Sequence, residues 1–157
     1  MIFSINELHV LANTWKDESK TIVFTNGCFD LLHQGHMDLL TQSKSLGDKL
    51  IVGLNSDSSV IRLKGKGCPI ESEETQAKHR MDLGFINGIC VFDEDTPIEL
   101  INAIRPTVLV KGGDYSLEDI VGYTEVKSWG GRVEIIPCTP GFSTTEKVNK
   151  MRREGLV

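Results

Sequence analysis

The chain has 157 residues, of which 39% are hydrophobic and 25% charged, and its formal net charge is −5. That length suits one compact domain with a real core, and the acidic balance leaves no basic footprint for extended nucleic-acid binding. A small anionic ligand stays open, because a local nest of N–H groups and lysines can hold an anion on an acidic protein. The four cysteines, Cys28, Cys68, Cys90 and Cys138, are too scattered for a zinc knuckle or a redox dithiol and read as free thiols of a reducing compartment. No basic-then-apolar leader opens the sequence and no run reaches membrane-spanning length. A cytoplasmic protein with neither nucleic-acid nor membrane partners is therefore expected.

In chain order, Ile5, Leu8, Leu11 and Ala12 recur at helical spacing behind Ser4, a good N-cap. Residues 1–20 thus form a helical extension that packs against the sheet or a partner subunit. Residues 21–24 are a β-branched, buried strand. After an intervening polar stretch, Met37, Leu39, Leu40 and Leu46 mark a helix stopped by Gly47. Residues 49–54 are a second buried strand. The run from Arg62 to Pro69 breaks the pattern with glycines, basic residues and a proline, and reads as a mobile loop. A helix is predicted over 71–83 and a third strand over 88–92. Thr96-Pro97 should open the next helix as N-cap and first residue, ending before Pro106. A fourth strand follows at 107–110, a helix at 117–129 closed by Gly130-Gly131, a fifth strand at 132–136, and a short helix from Ser143 to Arg152. Strands alternating with helices predict an α/β, Rossmann-like, doubly wound five-stranded parallel sheet, with residues 1–157 as one domain.

The junction between the first strand and its helix concentrates the chemistry. Thr25-Asn26-Gly27-Cys28-Phe29-Asp30-Leu31-Leu32-His33-Gln34-Gly35-His36 lies where a strand ends and a helix begins. In a parallel sheet that is the carboxyl edge, where ligands bind. The helix start offers unpaired N–H groups and partial positive charge, Gly35 admits a phosphate close to the backbone, and His33 and His36 supply donors on either side. A lone histidine would be an ordinary loop residue; His-x-Gly-His at this junction is far more specific. The pair is not read as a zinc site, for no third ligand stands at useful spacing.

The segment Gly-Cys-Phe-Asp-Leu-Leu-His-Gln-Gly-His resembles the signature of the cytidylyltransferase-like nucleotidyltransferases. Further segments resemble, in order, the heptose 1-phosphate adenylyltransferases, such as the adenylyltransferase domain of ADP-heptose synthase. They are Asn55-Ser56-Asp57, Arg62-Leu63-Lys64-Gly65, Glu94-Asp95-Thr96-Pro97, Val110-Lys111-Gly112-Gly113-Asp114-Tyr115 and Pro140-Gly141-Phe142-Ser143-Thr144-Thr145. The resemblance implies the nucleotidyltransferase fold and transfer of AMP from ATP to D-glycero-β-D-manno-heptose 1-phosphate. It also implies Mg2+ carried on the triphosphate with few protein ligands, a homodimer, and a sugar kinase that, being absent from this chain, acts separately upstream. The alternative within the same chemistry is a cytidylyltransferase acting on glycerol 3-phosphate or a similar alcohol phosphate.

Such a reaction needs alignment and charge neutralisation more than a strong base, since the attacking phosphate oxygen is already anionic. The resemblance gives His33 and His36 the role of donors to the triphosphate. Lys64, in the glycine-rich loop, and Lys44, on the helix after the signature, become candidate phosphate contacts. For Lys44 the spacing alone favours a solvated helix face. The nucleotide would lie against Asn26, Gly27, Cys28, Phe29, Asp30 and Gly35, with its base on the turn Lys111-Gly112-Gly113-Asp114 and its phosphates also facing Ser143, Thr144 and Thr145. Asp30 either orients the signature loop or helps organise magnesium. Asp93, Glu94 and Asp95 read as solvated loop and helix-start charges. Three positions depart from the family pattern: Gln76 and Cys68 replace arginines and Asn87 replaces an aspartate, changes that bear on the acceptor rather than on transfer.

Overall fold

The computed structural model describes residues 2–27, 34–58, 84–94, 96–113 and 116–136, with residues 27 and 34–36 described as backbone only. Five strands form one wholly parallel sheet: β1 (Ile22–Gly27), β2 (Lys49–Asn55), β3 (Gly88–Phe92), β4 (Val108–Gly112) and β5 (Arg132–Ile136), in the order β3-β2-β1-β4-β5. The flanking helices are α1 (Ile5–Asp17), α2 (Gln34–Ser45), α3 (Ile98–Ile104) and α4 (Tyr123–Ser128).

The apolar runs of the strands follow from burial on both faces. Along β1, Ile22 and Phe24 point to one side and Val23 to the other, the two-residue period of a strand. On the first side Ile22, Phe24, Ile51 and Leu109 meet Leu8, Ala12 and Trp15 of α1, Leu100, Ile101 and Ile104 of α3, and Val126 of α4. On the other, Val23, Leu50, Val52, Leu54, Val108 and Val110 pack with Leu39 and Leu40 of α2. Each fully buried leucine or isoleucine contributes roughly 1.5–3 kcal/mol.

The N-terminal extension belongs to this core. Its capping box is complete: the Glu7 amide donates to Ser4 Oγ at 3.2 Å, and the Ser4 amide donates to Glu7 Oε1 at 3.0 Å. His9 Nδ1 then ties α1 to α3 through the Ala103 carbonyl at 2.9 Å.

Two helix expectations need correction. Thr96 is not a cap: the N-cap position of α3 falls on Pro97, which makes no side-chain cap bond, and the helix starts at Ile98. The helix expected over 117–129 is a 3-10 turn at Leu117–Asp119 followed by α4. The break lies at Gly122, whose φ of +95° is left-handed. A Cβ there would stand 2.8 Å from Ile101 Cδ1, so the chain comes so close to α3 that only glycine fits. The helices expected at 71–83 and 143–152, and the loop at 62–69, lie outside the described residues.

Candidate active site

The strand order locates the crevice. From β1 the chain moves outward to β2 and β3, then returns to place β4 on the opposite flank of β1. Strand order therefore reverses between β1 and β4, and ligands of open α/β sheets bind at the carboxyl end of such a switch point. The pairing shows the opening. β1 and β2 stay paired through Gly27 and Leu54, whereas β1 and β4 part after Thr25 and Val110. Asn26 and Gly27 on one side, and Lys111 and Gly112 on the other, line the diverging ends. The backbone at the start of α2, residues Gln34 to His36, follows from β1 at this same edge. Its first-turn N–H groups have no partner within the helix.

The two glycines at the end of β4, Gly112 within it and Gly113 just beyond, have structural duties that their sequence did not reveal. A Cβ on Gly112 would meet Leu39 Cδ2 at 3.2 Å, so this glycine lets α2 lie close against β4. Gly113 has a φ of +115° and donates its N–H to the Ile136 carbonyl at 3.0 Å. That N–H is therefore not available to a base lying on this turn. Lys111 is half-buried beside them, paired in register with Ile135.

Two residues at this edge, quoted above only within longer segments, have bonding that the sequence does not show. Ser56 Oγ donates to Asp93 Oδ1 at 2.5 Å while the Ser56 amide donates to the Phe92 carbonyl at 2.8 Å, a double clasp across the ends of β2 and β3. Asp93 is exposed, as expected, but it anchors the clasp as well as facing solvent. Thr25 is fully buried at the last β1–β4 pair, and its hydroxyl has no hydrogen-bond partner among the described residues. A β-branched residue in a strand gives no sequence signal of such a vacancy in its bonding. At the end of the edge strand β3, a cavity of about 240 Å3 opens between the starts of α1 and α3, with Cys90, Asp93, Glu94 and Thr96 on its walls. Burial, and then the charge of Glu94, push the Cys90 thiol up to about 11, so it stays protonated and is no nucleophile near neutral pH.

Lys44 is placed elsewhere. It lies at the far end of α2, about 15 Å along the helix from its start. Its Nζ donates to the Asp48 carbonyl at 2.6 Å and to Asn87 Oδ1 at 2.9 Å, and the same Asn87 oxygen accepts the Leu50 amide at 2.9 Å. Asp48 Oδ2 in turn accepts the Thr21 amide at 2.8 Å. Lys44 is thus part of a clamp on the amino edge of the sheet, away from the crevice that phosphates would enter. Asn87 is explained by the same clamp: its carbonyl oxygen supplies the acceptor that an aspartate would, so this departure from the family pattern concerns the scaffold. Burial first, and Lys49 next, lower the pKa of Lys44 against a smaller opposing influence of Asp48.

His33, Cys28, Phe29, Asp30, Lys64, Asp114, Ser143, Thr144 and Thr145 lie outside the described residues, as do Gln76 and Cys68, and the side chain of His36 is not described. Among the described residues no cluster of three or more histidine, cysteine, aspartate or glutamate side chains could hold a metal ion, and no helix is long and apolar enough to cross a membrane.

Comparison with known proteins agrees with this geometry. Residues 24–150 match the family model described as cytidylyltransferase-like. The chain is 50% identical over 145 residues to a bifunctional protein HldE of Koribacter versatilis, covering 92% of this chain and 30% of that protein. It is 53% identical over 132 residues to the HldE of Syntrophotalea carbinolica, covering 84% of this chain and 27% of the relative. The chain therefore spans less than a third of the length of these relatives. Among solved structures, a lipopolysaccharide core biosynthesis protein from Thermoplasma volcanium superposes with a TM-score of 0.62 at 27% identity, covering 76% of this chain and 97% of that one. A pantoate-beta-alanine ligase from Francisella tularensis, complexed with beta-gamma ATP and beta-alanine, has a TM-score of 0.64 at 14% identity over 99% of this chain and 83% of the ligase, a likeness of fold alone.

Proposed function

The chain belongs to the cytidylyltransferase-like family, and from that membership we propose that it transfers AMP from ATP to a sugar 1-phosphate, D-glycero-β-D-manno-heptose 1-phosphate being the acceptor favoured. An oxygen of the acceptor phosphate attacks the α-phosphorus. The bond between that phosphorus and the oxygen leading to the β-phosphate breaks, and pyrophosphate leaves with the electron pair. The observation that carries the reading is the crevice at the switch point between β1 and β4, with the start of α2 beside it, in a chain about half identical to the HldE proteins. The name of the Thermoplasma neighbour, a lipopolysaccharide core biosynthesis protein, supports a surface-sugar acceptor.

In this proposal His33 and His36 donate to the triphosphate as charge grows on it, and Lys64 closes over the phosphates from its loop. Ser143, Thr144 and Thr145 hold phosphate oxygens from the far side, and magnesium enters with the triphosphate as part of the substrate. Asn26, Gly27 and the signature residues through Gly35 form the floor, with Lys111, Gly112 and Asp114 beside the base. The sugar kinase that makes the acceptor is proposed as a separate activity, and relatives named bifunctional, of which this chain spans less than a third, support its lying on one longer polypeptide. The working unit is a homodimer, which light scattering at micromolar concentration checks by mass.

The deciding experiment is a pyrophosphate-release assay with ATP, CTP, GTP and UTP against heptose 1-phosphate, other sugar 1-phosphates and glycerol 3-phosphate. Release with ATP and a sugar 1-phosphate is expected. Faster release with CTP and glycerol 3-phosphate would replace this reading by the cytidylyltransferase one.

A further inference from the structure

The amino edge of the sheet carries a second cavity, about 290 Å3 in volume, where the C-terminal ends of α1, α3 and α4 converge. Lys16, Arg105, Thr107, Trp129, Gly130 and Gly131 line it. Lys16 reaches in from α1, and its Nζ donates to the Ile104 carbonyl at 2.7 Å. The Arg105 guanidinium lies 5.0 Å from the centroid of the Trp129 ring, and that indole is itself fixed by its N–H on the Pro106 carbonyl at 2.9 Å. A fixed indole therefore restrains the guanidinium, which leaves its N–H donors pre-set.

Two features of this corner exceed the needs of the fold. Arg105 caps α3 with φ +50° and ψ +62°, the left-handed conformation for which glycine is the easy choice. Its backbone task, donating to the Ile101 carbonyl at 2.7 Å, would be met equally by glycine. Strain kept at such a position points to work for the side chain. Cations do suit helix C-termini, but Lys16 already serves the end of α3 through Ile104. Neither Lys16 nor Arg105 forms an ion pair with any described residue. Burial, followed by repulsion from Arg105, lowers the pKa of Lys16. Two mutually repelling cations thus face one cavity with no carboxylate among the described residues that line it.

We infer that this cavity binds a phosphate oxyanion, with the Arg105 guanidinium as a forked donor and the Lys16 ammonium and Thr107 hydroxyl beside it. Phosphate suits the fork because two parallel N–H groups match two of its oxygens. The volume admits a phosphate bearing a small organic group and is tight for a nucleoside triphosphate. The site is separated from the nucleotide crevice by the length of the strands, about 17 Å, so it is a second site and no extension of the first. Both free phosphate and a small phosphomonoester carry the required chemistry.

Arg105→Gly tests the inference on a chain that should fold, since glycine suits the left-handed cap. Thermal melts and amide NMR spectra of the full chain are recorded with inorganic phosphate, with ribose 5-phosphate and with chloride at matched ionic strength. Phosphate is expected to raise Tm saturably and to shift the Trp129 indole and the Gly130, Gly131 and Thr107 amides. Arg105→Gly should weaken that response by roughly tenfold or more, the usual consequence of losing a charge-assisted bond, while the Tm rise produced by ATP is retained. Tighter binding of ribose 5-phosphate would assign a phosphorylated metabolite, and equal binding would assign free phosphate; either supports the site. A response no larger than that of chloride would overturn it. So would shifts confined to Gly27 and Gly112, or an unchanged response in Arg105→Gly.

Discussion

The two edges of the sheet are built from the same strands to opposite specifications. At the amino edge, Lys44 is held by Asp48 and Asn87, Asn87 also by Leu50, and the Asp48 carboxylate by the Thr21 amide, so α2, β1, β2 and the approach to β3 are clamped together. At the carboxyl edge the strands β1 and β4 separate, the Thr25 hydroxyl has no partner among the described residues, and the first turn of α2 begins beside them. Bonds made within the protein stabilise it, whereas groups left unmade cost stability and remain available to a ligand. A lysine on α2 therefore has opposite meaning at its two ends, and the far end belongs to the scaffold.

The largest expected effect lies at the carboxyl edge. His33→Ala and His36→Ala should each lower turnover on the order of 100-fold or more, the usual cost of removing a donor that stabilises developing charge, with the denaturation midpoint nearly unchanged. Steady-state pyrophosphate release with urea melts of the same samples measures both. Near-normal turnover in both variants would take the histidines out of the mechanism and leave the crevice without its principal donors.

Lys44→Met should behave in the reverse sense. The substitution keeps the apolar stem and removes two hydrogen bonds of the amino-edge clamp, so stability should fall by about 1–2 kcal/mol. Turnover per folded molecule should hold steady. A variant that melts normally but no longer turns over would return Lys44 to the catalytic site and break the division between the edges.

How much of this is legible in the sequence depends on whether a signal is local. Ser4 is the N-cap that its place before an apolar helical pattern announces, and residues 88–92 and 132–136 are strands with the bounds their apolar runs suggest. The helix expected over 117–129 breaks because Gly122 is uninformative until Ile101, from another element, is seen to press on it. Lys44 misleads for a similar reason: a helix-face lysine looks the same whether it meets a phosphate or Asn87, which is distant in the chain. The same limit hides Thr25, since the absence of a bonding partner is a property of its neighbours. The family signature is legible because its residues are contiguous around one strand-to-helix junction.

Thr25→Val gives a smaller, opposite-signed effect at the carboxyl edge. Valine keeps the shape and removes a buried hydroxyl that has no partner among the described residues, which should raise stability by about 1 kcal/mol in the absence of substrate. A loss of stability instead would show that the hydroxyl is satisfied in solution, for example by an ordered water, and that the edge is less open than its pairing suggests.

The smallest effect concerns charge in the clamp. Lys44 has a pKa below the usual lysine value, chiefly through burial, with both of its hydrogen-bonding acceptors neutral oxygens. In the window just below 10.5 the folded state therefore binds fewer protons at this site than the unfolded state, and the Lys44 contribution to stability rises as pH rises. Asn87→Asp would place a carboxylate where Oδ1 now accepts from Lys44 at 2.9 Å. The ammonium would then be favoured, so the high-pH gain should shrink or change sign. The new carboxylate, its own pKa depressed by Lys44, would add stability that is present above the unfolded carboxyl value of about 3.9 and lost as pH falls through the folded one. Because the pair is only partly buried, the gain at neutral pH should be a few tenths to about 1 kcal/mol. Urea denaturation of the native chain and of Asn87→Asp near pH 4, 7 and 10 reads the two slopes. Parallel pH profiles for the two chains would mean that the bond from Lys44 is not maintained in solution, and the clamped edge would then rest on Asp48 alone.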